Sequence, residues 1–150
     1  MKNETSTNHE LGNNSNLLLC AGLNQSANVI FQNNKEKGFW DNDRNVGELL
    51  MLVTSELGEA MEAYRKGKFA DLKQYYEISN KEWADKSPIE KKEKYCFENL
   101  VKDTFEDEIA DAVIRLLDLS AGLGIDLEKH INEKVKYNKL RERLHGKQQY

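Results

Sequence analysis

The feature that most constrains the fold is the helical spacing of apolar residues in two long segments. In residues 105–119 an apolar side chain recurs every three or four positions, which places these side chains on one face of a helix. That face comprises Phe105, Ile109, Ala112, Leu116 and Leu119. Residues 46–64 repeat the spacing with Val46, Leu49, Leu50, Val53, Leu57, Ala60, Met61 and Tyr64. No run alternates as a strand would, so the sequence predicts an all-α fold.

Capping and turn signals divide the chain into four main helices, predicted at residues 17–37, 46–66, 97–121 and 127–144. Asn45 and Glu48 resemble an N-cap pair at the start of the second helix, and Asp126 is the predicted cap of the last. Gly38, Gly67 and the glycines after Ala121 mark helix ends. Short links between such helices favour a four-helix antiparallel bundle.

The predicted fold is one domain, residues 16–146, with a charged insertion between the second and third main helices. The insertion spans about residues 68–96, and its Ser87-Pro88 pair is typical of a helix start with proline in the first turn. We expect one or two short helices there. Residues 1–15 are polar and predicted to be disordered, and residues 147–150 form a short C-terminal tail.

Composition and charge exclude several classes of function. The formal net charge is -4 and no basic block stands out, which argues against binding to a nucleic acid polymer. No apolar run approaches the roughly 20 residues that cross a bilayer, and the N-terminus lacks the apolar region of a signal peptide. Cys20 and Cys96 are too few for a disulfide framework. We therefore expect a cytoplasmic protein without membrane partners.

Acidic residues lie along the edge of the apolar faces instead of opposite them. In the third helix the charged side chains on this edge are Glu108, Asp111, Arg115 and Asp118. In the second helix, Glu56 and Glu59 take the same position. An isolated acid pair three residues apart is most often solvated surface. If both helices pack through their apolar faces, however, four carboxylates meet in one groove.

Carboxylates gathered in a groove repel one another and need a proton or a cation. Ligands that are all oxygen suit Mg²⁺, with Mn²⁺ as a substitute, and water and substrate phosphates complete the coordination. A di-iron bundle would require histidine three residues after a glutamate. Neither Glu56 nor Glu108 is followed by one.

The last helix carries a row of polar side chains where its apolar face should continue. These residues, the basic row, are Lys134, Asn138 and Arg141. One interpretation is that they form salt bridges with the acids inside the bundle. The other is that they bind phosphate, because an arginine fork, a lysine charge and an amide donor suit phosphate oxygens.

Three motifs together resemble the MazG-like nucleotide pyrophosphohydrolases, a superfamily of all-α NTP pyrophosphatases. They are Glu56-Leu-Gly-Glu59-Ala, Phe105-Glu-Asp-Glu108-Ile-Ala-Asp111 and Lys134-Val-Lys-Tyr-Asn138-Lys-Leu-Arg141. The resemblance covers about residues 38–146. The chain departs from the family in two ways. Ser55 stands where many members have a further glutamate, and the segment between Glu59 and Glu108 is longer than usual.

The resemblance implies Mg²⁺-dependent hydrolysis of an NTP or dNTP to the monophosphate and pyrophosphate, as in housecleaning of the nucleotide pool. The implied metal ligands are Glu56, Glu59, Glu108 and Asp111. Glu59 is the residue expected to accept the proton of the attacking water. The implied phosphate ligands are Lys134, Asn138 and Arg141. Arg115 and Asp118 would orient the ligand carboxylates.

Two aromatic residues and the oligomeric state complete the expectations. Phe39 and Trp40 are candidates for one wall of a base pocket, since bases stack on aromatic rings, and packing at a helix junction is the equal alternative. We expect a homodimer or homotetramer. Two other functions compete with the pyrophosphohydrolase: a non-catalytic helical interaction module, and a metal-dependent hydrolase of another phosphorylated metabolite.

Overall fold

A computed structural model of the chain describes residues 22–81 and 88–142. These residues form six helices and no strand, which confirms the all-α class. The helices are α1 (Leu23–Glu36), α2 (Val46–Arg65), α3 (Leu72–Ser79), α4 (Ile89–Leu100), α5 (Phe105–Gly122) and α6 (Leu127–Lys139). Within the described ranges, no helix has the length and apolar character needed to cross a membrane.

Both predicted N-caps are confirmed. The Asn45 side chain accepts a hydrogen bond from the backbone N–H of Glu48 at 3.2 Å, and α2 begins at the next residue. The Asp126 side chain accepts one from the N–H of Lys129 at 3.1 Å, at the start of α6. Each cap satisfies a backbone donor that the first turn of a helix leaves without an intrahelical partner.

The third main helix was predicted too long at its N-terminal end. Residues 97–100 belong to α4, and a turn separates them from α5. In that turn Asp103 has φ 58°, a left-handed conformation that interrupts a helix. Thr104 then caps α5 by accepting from the N–H of Asp107 at 3.4 Å. The described part of the insertion contains α3 and most of α4, as expected, although Pro88 precedes α4 instead of opening it.

The first and last helices were predicted to begin at residue 17 and to end at residue 144. Helix α1 begins at Leu23, after Gly22 with a non-helical φ of 56°, and residues 17–21 of the predicted first helix lie outside the described residues. Helix α6 ends at Lys139 instead of residue 144. Just after its end, the N–H groups of Leu140 and Arg141 donate to the carbonyl oxygens three residues earlier, which tightens the last turn. The two predicted tails, Cys20, and residues 143–146 lie outside the described residues.

The centre of the fold is the pairing of α2 with α5, and α1 packs on α5 beside it. Small residues lie in the α2–α5 contact: Ala60, Ala63 and Ala112 are all buried. Small side chains allow two helices to approach closely, because the side chains at the contact set the distance between helix axes.

Two parts of the chain stand apart from this centre. Helices α3 and α4 pack mainly on each other. Helix α6, every residue of which is described, buries none of its residues and rests on α1 near the start of both helices. The predicted four-helix bundle requires the last helix to join α2 and α5, so the bundle stays a prediction.

Candidate metal centre

Three acidic side chains from two helices meet between α2 and α5. One carboxylate oxygen of Glu56, one of Glu108 and one of Asp111 all lie within 4.8 Å of one another. Glu56 and Glu108 are each only 6% exposed, and Asp111 is more open. We call these three residues the acid cluster. The close α2–α5 contact brings them together, because each lies on the edge of its helix that faces the partner helix.

Glu59 lies one turn beyond Glu56 and is exposed. Its carboxylate accepts a hydrogen bond from the hydroxyl of Ser55 at 3.2 Å. It lies outside the acid cluster, although its negative charge raises the pKa of both Glu108 and Asp111. A carboxylate beside the acid cluster but not enclosed in it is placed to exchange protons with solvent.

The electrostatic potential at the acid cluster is strongly negative. The pKa of Glu108 is raised to about 7, chiefly by burial, then by the charge of Glu59 and by a hydrogen bond with Glu56. Burial also raises the pKa of Asp111, followed by the charge of Asp107. Desolvation and neighbouring negative charge both disfavour the ionised carboxyl. Protons or a cation therefore stabilise this arrangement.

Arg115 and Asp118 occupy the next turns of α5. The Arg115 Nε donates a hydrogen bond to Oε1 of Glu56, and its positive charge lowers the pKa of Asp111 against the effect of burial. Asp118 accepts hydrogen bonds from Nε1 of Trp40 at 3.1 and 3.2 Å. Arg115 thus contacts the acid cluster directly, whereas Asp118 is held by the segment that follows α1.

A pocket of about 440 Å³ opens beside Asp111. Its lining includes Phe39, Arg44, Leu52, Asp111, Ile114 and Asp118. We call it the Phe39 pocket, because the ring of Phe39 is its aromatic wall and is 56% exposed. It combines apolar side chains with charged ones next to the acid cluster, which is typical of ligand pockets.

Trp40 plays a different part from Phe39. Its ring packs edge-on against Phe31, with 5.1 Å between centroids, and lies so close to Gly122 that a Cβ there would be 2.3 Å from its Cη2 atom. Its N–H is bonded to Asp118. These contacts place Trp40 at a helix junction, the packing alternative recognised from the sequence.

The basic row is not brought to the acid cluster within one chain. Lys134 and Asn138 are exposed, and the Lys134 Nζ lies 5.1 Å from the centre of the Tyr137 ring. Arg141 donates from Nη1 to Oδ1 of Asn138 at 3.3 Å. The main contact of α6 is with α1, and none of the three residues lines the pockets beside the acids. Their role in phosphate binding stays a prediction.

Sequence reasoning missed three cations near the acids. Arg44 lines the Phe39 pocket and donates from Nη1 to the carbonyl of Phe39 at 2.9 Å. Lys66 and Lys68 line a groove on the other side of the cluster. Lys66 could have been identified from the sequence, because it follows Glu59 by seven residues and so lies on the same helix face. Arg44 and Lys68 lie in connecting segments outside the helices, where the helical period does not apply.

Comparison of the chain with protein-family models, with curated proteins and with solved structures finds no match. The resemblance to the MazG-like family therefore rests on the three motifs. Two of those motifs supply the acid cluster, and the third lies on α6.

Proposed function

We propose that this chain is a metal-dependent pyrophosphohydrolase that converts a nucleoside triphosphate, NTP or dNTP, into the monophosphate and pyrophosphate. The observation that carries the proposal is the acid cluster, in which two buried glutamates and an aspartate from two helices share one space. Such a cluster costs stability unless protons or a cation neutralise it, because buried like charges repel. Its chemistry, oxygen ligands alone, suits Mg²⁺ or Mn²⁺.

In the proposed site Glu56, Glu108 and Asp111 hold the cation, with Glu59 as an outer ligand. A bound Mg²⁺ would supply charge neutralisation for the triphosphate and lower the pKa of a bound water. Arg115 fixes the orientation of Glu56 through its hydrogen bond. Glu59, exposed and next to the cluster, accepts the proton when water attacks and the link between the α- and β-phosphates breaks.

The Phe39 pocket is the proposed site of the nucleoside. The exposed ring of Phe39 can stack on a base, and stacking contributes about 1–3 kcal/mol per base. Trp40, the next residue in the chain, is fixed by its bond to Asp118. Arg44 adds a donor at the edge of the pocket.

The competing interaction module explains the acids as salt-bridge partners of the basic row. In the part of the chain that the structure describes, Lys134 makes no ion pair with the acids of α2 or α5, and the cluster's ion pair is the one from Arg115 to Glu56. One guanidinium beside three carboxylates leaves negative charge in excess. This favours a cation-binding site over a structural network.

Two further proposals concern the state and place of the protein. An apolar face with a pocket of about 440 Å³ lies on the α2–α5 pair, lined by Leu57, Ala60, Met61, Tyr64, Phe105 and Ile109. Exposed apolar patches of this kind mark interaction sites, so we propose that it packs against a second copy in a homodimer or homotetramer. Cys96 is a free, buried thiol, which supports a reducing, cytoplasmic location.

The test is a panel of NTPs and dNTPs with Mg²⁺, with pyrophosphate and orthophosphate measured separately. We expect pyrophosphate and a monophosphate, and no turnover in excess EDTA. Glu56→Gln, Glu108→Gln and Asp111→Asn should each nearly abolish turnover and keep the fold, and the exposed Glu36→Gln serves as the control. Orthophosphate with a diphosphate product, or full activity in EDTA, would refute the proposal.

A further inference from the structure

A second concave surface adjoins the acid cluster on the side away from the Phe39 pocket. This groove has a volume of about 200 Å³ and is lined by Glu59, Glu62, Lys66, Lys68, Asp103 and Glu108. We call it the lysine groove. It shares Glu108 with the acid cluster, whereas the Phe39 pocket shares Asp111. Because Glu108 and Asp111 are one turn apart on α5, the two depressions flank the cluster along that helix.

The backbone fixes the position of the lysines relative to the acids. Helix α2 ends at Arg65, and Gly67 takes φ 67° to turn the chain back. The N–H of Lys68 then donates to the carbonyl of Ala63 at 3.0 Å, and the carbonyl of Lys68 accepts from the N–H of Phe105 at 3.0 Å. Lys68 is thus bonded through its backbone to the first residue of α5, three positions before Glu108.

Four carboxylates and two lysines line the groove, and two of the carboxylates, Glu59 and Glu108, belong to the proposed metal site. Lys66 forms an ion pair with Glu62, and both side chains are more than half exposed, so the pair is weak and easily exchanged. Asp103 is paired with Lys102 at 3.7 Å. Within the described ranges, Lys68 forms no ion pair as close as that of Lys66, although its charge helps to lower the pKa of Glu62 after the larger effect of Lys66. An anion in the groove would meet Lys68 directly and Lys66 by exchange with Glu62.

We propose that Lys66 and Lys68 bind the leaving pyrophosphate, so that the substrate lies across the acid cluster with its nucleoside in the Phe39 pocket and its β- and γ-phosphates in the lysine groove. This inference rests on the proposed function. Pyrophosphate is a compact polyanion that suits a small groove with lysine donors, whereas the apolar side chains of the Phe39 pocket suit a base. Phosphate recognition from the end of α2 also needs no contribution from α6.

During the reaction the lysines would act on the departing group only. The water oxygen forms its bond to the phosphoryl group on the nucleoside side, the α–β phosphoanhydride link breaks, and the proton of the water passes to Glu59. The negative charge that develops on the leaving pyrophosphate is then offset by the Lys68 ammonium. Lys68 binds the product and takes no proton.

The test separates the two ends of the substrate by measuring the two products. Calorimetry with Mg²⁺ present gives the affinities of pyrophosphate and of the nucleoside monophosphate for the wild-type protein, Lys68→Ala and Lys66→Ala/Lys68→Ala. A charge-assisted hydrogen bond contributes roughly a ten- to hundredfold factor, so Lys68→Ala should weaken pyrophosphate binding by about that much. Monophosphate affinity should stay unchanged. Lys35→Ala, an exposed lysine on α1, is the matched control.

The outcomes distinguish a failure of this inference from a failure of the proposed function. If the wild-type protein releases pyrophosphate from an NTP but the variants bind pyrophosphate as tightly as wild type, the proposed role of the lysine groove is refuted. The proposed pyrophosphohydrolase function is then unaffected. Equal weakening of both products also refutes the directional assignment. If the wild-type protein neither hydrolyses an NTP nor binds pyrophosphate with Mg²⁺, both proposals fail together.

Discussion

Replacing Glu108 by glutamine should stabilise the metal-free protein at alkaline pH. Glu108 is 6% exposed and its pKa is raised to about 7, first by burial and then by the charge of Glu59. The neutral carboxyl therefore suits the fold better than the carboxylate. Glutamine is always neutral, and its amide can still donate a hydrogen bond to Glu56. The variant thus avoids the cost of an ionised Glu108 without losing that contact.

The size of the effect follows from the difference between the folded and unfolded pKa of Glu108. The step from 4.5 to about 7, at about 1.36 kcal/mol per pKa unit, sets a ceiling of about 3 kcal/mol. Because the folded pKa is raised, protonation stabilises the fold fully below pH 4.5, and this stability is lost as the pH rises through about 7. We expect the free energy of unfolding of wild type to fall by about 1–3 kcal/mol between pH 5 and pH 8 because of this residue.

The measurement is urea unfolding at pH 5 and pH 8 in EDTA, at constant ionic strength. The free energy of unfolding of Glu108→Gln should fall less between these pH values than that of wild type. Glu36→Gln, on the exposed side of α1, should behave as wild type. Added Mg²⁺ at pH 8 should stabilise wild type and have little effect on Glu108→Gln, since a ligand stabilises only the state that binds it. A glutamine variant less stable than wild type at pH 8 in EDTA would contradict the argument.

Three further predictions test the surroundings of the site. Light scattering at micromolar concentration should show at least a dimer, and Met61→Lys on the apolar face should reduce it to a monomer; a wild-type monomer would refute the proposed association. Gly122→Ala should cost about 1–3 kcal/mol in thermal unfolding, because its Cβ would lie 2.3 Å from the Trp40 ring. Gly58→Ala, with no atom within 4 Å of its Cβ, should not be destabilising. Metal titration of Lys134→Ala without nucleotide should match wild type, and markedly tighter metal binding in a less stable protein would support the salt-bridge interpretation.

The predictions that succeeded depend on local rules. Helical spacing fixes which residues share a face, and a capping side chain acts on a donor two or three residues away. For this reason the start of α2 at Val46 and the cap of α6 at Asp126 were predictable. The meeting of Glu56 with Glu108 followed once two apolar faces were assumed to pack, because both acids lie at the edge of those faces.

The features that the sequence did not determine depend on tertiary contacts or on backbone conformation. The left-handed Asp103, which separates α4 from α5, is a conformation that few residues other than glycine adopt. The position of α6 was inferred from the chemistry of its polar face, but which surface a helix faces is decided by the whole packing. Trp40 illustrates the same limit, since its partner Asp118 lies 78 residues away along the chain.

The fold resolves the conflict between its acids and its core through small residues. Ala60 lies one turn after Glu56, and Ala112 one turn after Glu108, and both alanines are buried in the α2–α5 contact. Larger residues there would bury more apolar area but hold the helices further apart. The alanines beside the acid cluster therefore contribute less hydrophobic stabilisation than larger side chains would. The proposed cation would offset the repulsion among the carboxylates, and the proposed partner would cover the exposed apolar face.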